Sequence, residues 1–235
     1  MPDFGATGGF PWQASHCQPG SVIQNATQVA PAARILRPMS AQPIRAGRFA
    51  FVDVETTGID PNKCAVVEVA CQIVEDGHVV ETFESLVNPL RGIPPFVTSI
   101  HGIDDGMVWG QPKLRELTPQ LRRLCRGAVI VAHNAEFDLR FLPFLAAQPV
   151  ACSLRLATLV VPEAPNHKNQ TLREFFGVYD LQLSGRRPHR ALADVIVTRH
   201  IFFRCLERYV AAGHEDRLEA LFDFLQPKYL RDQPA

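Results

Sequence analysis

FAFVDVETTG, Phe49–Gly58, reads as a β-strand that starts apolar and ends on two acids. Side chains alternate across a strand, so Phe51, Asp53 and Glu55 share one face while Val52 and Val54 take the other. Both carboxylates therefore point to one place. Acids a few ångströms apart repel and raise each other's pKa unless a cation compensates, and a hard divalent ion held by oxygen is the usual compensation. Taken alone, the pair is as simply explained by an exposed edge strand with two solvated acids, so the decision rests on what surrounds it.

Outward from this stretch, AVVEVACQIVE and HVVETFESLV are two more strands, joined by EDGH, whose Asp-Gly pair flanked by β-branched residues predicts a hairpin. GAVIVAHN is a short apolar run bounded by Gly127 and Asn134, hence another buried strand. PQLRRLCR before it is amphipathic and helical. AEFDLRFL after it reads as a helix entered through Asn134 as N-cap and ended or kinked by Pro143. TLREFFGV closes on Gly177, and a long helix over RALADVIVTRHIFFRCLERYVAAG closes on Gly213. A strand meander followed by alternating helix and strand predicts an α/β fold, a mixed sheet with helices packed on it.

The chain has 235 residues, 46% hydrophobic and 20% charged, the balance of a soluble globular protein with one core. Its longest apolar runs are too short to cross a bilayer, and the N-terminus has neither a basic start nor an apolar block, so no membrane role and a cytoplasmic location are expected. Net charge is zero, so a nucleic-acid partner would have to be held by a local basic patch. The six cysteines form no CxxC pair and are expected to be reduced and mostly buried. Residues 1–47 carry six prolines, five glycines and one acid, and are expected to be a flexible tail; 48–213 would be the main folded domain, and 214–235 an amphipathic helical extension. In that extension Leu218, Leu221, Phe222 and Leu225 recur at helical spacing, which suits packing on the domain or docking a partner.

Three further fragments place chemistry-bearing residues at element ends. In HNAEFDLR, Asp138 lies one turn after Asn134; in RPHRALADV, His189 precedes the long helix and Asp194 sits one turn into it, with Ala191 and Ala193 leaving room for close packing. Each alone has a simpler account, such as an acid complementing a helix dipole. Together they are harder to dismiss. VDVETTG, IHGI, VAHNAEFD and HRALAD, in that order, resemble the DEDDh 3′-5′ exonucleases, the family of the DNA polymerase III epsilon subunit, over about residues 48–213.

The resemblance implies a ribonuclease H-like fold, a central mixed sheet flanked by helices with the acids meeting above it. It implies that Asp53, Glu55, Asp138 and Asp194 hold two Mg²⁺ or Mn²⁺ ions and that His189 is the general base. It also implies that Thr56, Thr57, Gly58 and His101 contact the terminal nucleotide. Asn134 is added as a substrate contact, although with His133 it could instead orient Asp138, and Phe137 is expected in the core rather than as a stacking platform. The implied substrate is a single-stranded or frayed 3′ end, DNA in preference to RNA, with a DNA polymerase as a possible partner; the open alternatives are an exoribonuclease and a catalytically silent binding module. Residues 166–190 hold Lys168, Arg173, Arg186, Arg187 and Arg190 against Glu174 and Asp180, a local excess that could track phosphates. Two departures stand out: Ser153, in ACSLRLA, occupies the strand position where many relatives carry an Asp, and the chain has no evident clamp-binding peptide.

Overall fold

The computed structural model describes residues 43–226. Five strands form one mixed sheet in the order β3-β2-β1-β4-β5, with β1 at Arg48–Thr56, β2 at Val66–Glu75, β3 at His78–Leu86, β4 at Val129–Ala132 and β5 at Val150–Cys152. β1 pairs antiparallel with β2 and parallel with β4. The first acidic strand is therefore central, not an edge. The turn joining β2 and β3 places Asp76 and Gly77 at φ 50° and 78°, the left-handed pair that a two-residue hairpin needs.

Eight α-helices accompany the sheet among the described residues: α1 (Pro95–His101), α2 (Asp105–Val108), α3 (Leu114–Leu124), α4 (Ala135–Phe141), α5 (Ser153–Val160), α6 (Asn169–Phe175), α7 (Ala191–Ala211) and α8 (Leu218–Leu225). One sheet face, carrying Phe49, Phe51, Ala70 and Val131, packs against α7 and its neighbours. Val52, Val54, Val69 and Ile130 on the opposite face pack against α3 and α4. Phe202 of α7 lies 5.5 Å from Phe49 and 5.7 Å from Phe51 between ring centroids, and Phe203 lies 5.9 and 5.7 Å from the same rings, so an aromatic cluster fixes the long helix over β1. Asp53 and Glu55 follow Phe51 on that face, which aims them at the start of α7.

Ile44 is fully buried and its N–H donates to Asp216 at 2.9 Å; the expected tail lies outside the described residues, apart from 43–47. Leu218, Leu221 and Leu225 of α8 are buried in the same core, and Arg155 holds the helix end through the carbonyls of Leu225 and Gln226. The apolar stripe of the extension thus covers its own domain. Phe137 is half-buried against Phe141, 5.2 Å away, as a core residue. Cys71, Cys125 and Cys205 are buried thiols, Cys64 and Cys152 half-buried ones, and Cys17 lies outside the described residues. No described helix is long and apolar enough to cross a membrane.

Candidate active site

β1, α4 and α7 bring their acids together at the carboxyl end of β1. Asp53, Glu55 and Asp194 each offer a carboxylate oxygen within 4.8 Å of the other two. Asp138 stands outside that trio: it is 2% exposed, raises the pKa of Asp53 by its charge, and takes a backbone hydrogen bond from Val54. Asp194 accepts from the backbone of His189 and from Gln170 Nε2 at 2.8 Å. A cavity of about 600 Å³ opens over Asp53 and Asp194, lined also by His189, His133, Lys168 and Gln170.

Burial, then mutual repulsion, holds these acids far above the usual carboxylate range. Asp53 is raised strongly, first by desolvation and then by Asp138, Asp194 and Glu55. Glu55 is pushed up to about 8 by desolvation and by Asp194 and Glu68, with Arg190 opposing. Asp138 reaches about 7 and Asp194 about 6, both chiefly by burial; His189 and Gln170 moderate Asp194. A cluster that cannot ionise fully without help is one that a divalent cation stabilises.

His189 adopts φ 57°, unusual for a side chain with a Cβ, and is exposed at the cavity rim. His101, at the end of α1, is 1% exposed; its Nδ1 accepts from Ile103 N–H at 3.0 Å, so its Nε2 carries the proton, and burial lowers its pKa. That Nε2–H lies near the Thr56 backbone carbonyl without closing a well-formed hydrogen bond to it. Thr56 Oγ1 donates to the Gly58 carbonyl and Thr57 Oγ1 accepts from Ala65 N–H, so both hydroxyls first serve to shape the turn. Gly58, at φ 155°, is required there, since a Cβ would lie 2.7 Å from Cys64 Sγ.

Several sequence expectations change in detail. Asn134 occupies the cap position of α4 but is left-handed, at φ 83° and ψ 56°, and its side chain caps nothing. His133 does not orient Asp138; its ring bridges Ser153 Oγ at 2.9 Å and the His167 carbonyl at 2.8 Å. Ser153 opens helix α5 rather than continuing β5, because its buried hydroxyl is held by His133 and the Ala132 carbonyl. Of the five basic residues in 166–190, Arg186 pairs with Glu84 and Arg190 with Glu68, so part of the expected phosphate track is neutralised within the fold.

Gln170 and Glu68 were not visible as site residues in the sequence reading. Glu68 had a signal, an acid inside a largely apolar buried strand, which needs a partner to be tolerated. Gln170 had none.

The exonuclease family model RNase_T matches residues 50–202. The 3′-5′ exonuclease DinG of Bacillus subtilis is 34% identical over 68% of this chain, which spans 18% of that protein's length. The DNA polymerase III subunit epsilon of Aquifex aeolicus is 32% identical over 68% of this chain and 81% of its own. Among solved structures, Exonuclease X in complex with 5′ overhanging duplex DNA superposes with a TM-score of 0.62 at 28% identity, covering 76% of this chain and 99% of that one. The acids, the mixed sheet and these matches agree, and the chain belongs to the exonuclease family.

Proposed function

We propose that this chain is a metal-dependent 3′-5′ exonuclease that hydrolyses phosphodiester bonds at DNA 3′ ends, in proofreading or repair, in the cytoplasm. The observation that carries the proposal is the trio Asp53, Glu55 and Asp194 within 4.8 Å, ionising late and opening on a cavity beside His189. Relatives named for 3′-5′ exonuclease and polymerase III epsilon support the reaction class. The duplex bound by Exonuclease X has a 5′ overhang and so a recessed 3′ end, which supports the polarity.

The donor set fits hard divalent ions: it is all oxygen, and the Arg190 guanidinium that moderates Glu55 is itself committed to Glu68. Asp53, Glu55 and Asp194, with Asp138 beside Asp53, would hold two Mg²⁺ or Mn²⁺ ions. Such ions, when bound, supply charge for the attacking and leaving oxygens and lower the pKa of water. His189, whose side chain is exposed at the cavity rim, accepts the proton of the attacking water on a ring nitrogen. Buried neutral His101 offers its Nε2–H toward the Thr56–Gly58 turn, where the terminal nucleotide would lie. Gln170 and the His189 backbone keep Asp194 facing the trio.

The test is degradation of matched 5′-labelled DNA and RNA oligomers with Mg²⁺, Mn²⁺ or EDTA. Stepwise shortening of DNA from its 3′ end, faster than of RNA and abolished by EDTA, is the expected result. Faster loss of RNA would make the chain an exoribonuclease, and Mn²⁺-dependent binding without shortening would make it a silent module. A polymerase partner is tested separately by co-purification with the intact chain.

A further inference from the structure

Glu68 lies on β2 directly opposite Glu55 of β1 in the antiparallel register, with no solvent exposure. Every bond it makes goes to the entrance of α7. Arg190 Nε donates to Oε1 and Oε2 at 3.1 and 3.0 Å, Arg190 Nη2 to Oε1 at 2.5 Å, and Ala191 N–H to Oε2 at 2.8 Å. A buried carboxylate is tolerated only when so satisfied, yet a pair of this kind is matched or bettered in stability by apolar residues of similar volume. Net stability is therefore a poor reason for having it.

Its position supplies a better one. Ala191 is the first residue of the 21-residue helix α7, whose leading N–H groups lack intrahelical acceptors, and Arg190 gives no side-chain cap. Glu68 caps that helix from a neighbouring strand. His189, immediately before, is held at φ 57° and gives its backbone hydrogen bond to Asp194 one turn in. The next residues back are tied as well: the Arg187 guanidinium packs on Gly102 beside His101, and Arg186 reaches Glu84 of β3. The bidentate fork fixes distance and rotation together, which a single hydrogen bond cannot.

We infer that the Glu68–Arg190 pair is a positioning clamp that locks the first turn of α7, and with it Asp194 and His189, in register with Asp53 and Glu55. Glu68 is not a metal ligand, because both its oxygens are occupied, and it touches no reacting atom. The inference rests on the nuclease reading for its consequence but not for its geometry.

Two variants test it: Arg190→Lys, which keeps the charge and loses the fork, and Glu68→Gln, which keeps the shape and loses the charge. Amide exchange of Ala191–Asp194 should accelerate at least about 10-fold in both, while amides from Ile196 to Tyr209 keep their protection. Mn²⁺ affinity, measured by calorimetry without substrate, should fall about 10- to 100-fold, the usual cost of losing a group that orients a ligand. On oligonucleotides kcat should fall by a similar factor with KM unchanged, because ground-state binding does not use this turn. Wild-type amide exchange and Mn²⁺ affinity in both folded variants would overturn the clamp. Failure of both variants to fold would assign the pair to folding and overturn it equally. Reduced Mn²⁺ affinity and amide protection in the variants of a protein whose wild type cleaves nothing would support the clamp and remove the nuclease reading instead.

Discussion

Adding a divalent ion to the metal-free protein should expel protons in a number set by the acids' raised pKa values. At pH 7, Glu55 at about 8 is about nine-tenths protonated, Asp138 at about 7 about half, and Asp194 at about 6 about one-tenth. Asp53, raised well above the usual range by burial and by four neighbouring acids, adds up to one more. Ligands must be ionised to coordinate, so saturation should release about 1.5 to 2.5 protons per chain. Four ordinary carboxylates with pKa values near 4 would release almost none. The sign follows: the ion displaces protons, so affinity strengthens as pH rises through roughly 6 to 8. The assay is calorimetric titration with Mn²⁺ in several buffers, where the slope of apparent enthalpy against buffer ionisation enthalpy equals the protons released. A slope near zero at pH 7 would mean that the acids are already ionised, and the electrostatic account of the site would be wrong.

Replacing Asp53 with Asn should abolish nuclease activity and yet stabilise the metal-free protein at pH 8, because it removes a buried carboxyl that ionises far more readily in the unfolded chain; thermal melting in EDTA measures this, and a lower melting temperature at pH 8 would count against the reasoning. The same raised pKa values make the metal-free protein lose stability as pH rises from about 4 to about 8, since between the unfolded carboxylate pKa and the folded ones the native state binds more protons. His189→Ala should lower kcat by roughly 10² to 10⁴ while leaving Mn²⁺ affinity within about threefold, read by single-turnover kinetics. Phe202→Ala should cost about 3 to 5 kcal/mol in urea unfolding, because it empties the space between Phe49 and Phe51.

What the sequence disclosed and what it hid divide along physical lines. β1 was legible because a short run of aromatic and β-branched residues ends in the alternation Val52-Asp53-Val54-Glu55, and the β2–β3 turn because Asp-Gly has few other uses. α7 was legible from its length and its closing glycine, Gly213 at φ 89°. α1 was not: it has seven residues, exposes Phe96 and buries His101, so its polarity runs against its packing. The four acids could be matched to a family, but their geometry could not, and Asp138 stands outside the trio that the other three form. Glu68 and Arg190 are 122 residues apart, and no local pattern joins them. Asn134 fits a cap by residue type, whereas its left-handed backbone depends on the sharp passage from β4 into α4.

The most direct measurement is anomalous diffraction from crystals grown with Mn²⁺ and a non-hydrolysable 3′-terminal dinucleotide. The account predicts strong anomalous density coordinated by Asp53, Glu55 and Asp194 and a second peak reached by an oxygen of the Asp53 carboxylate with Asp138 alongside, the dinucleotide phosphate touching both. Density elsewhere, or none at these acids in crystals that still bind the dinucleotide, would contradict it.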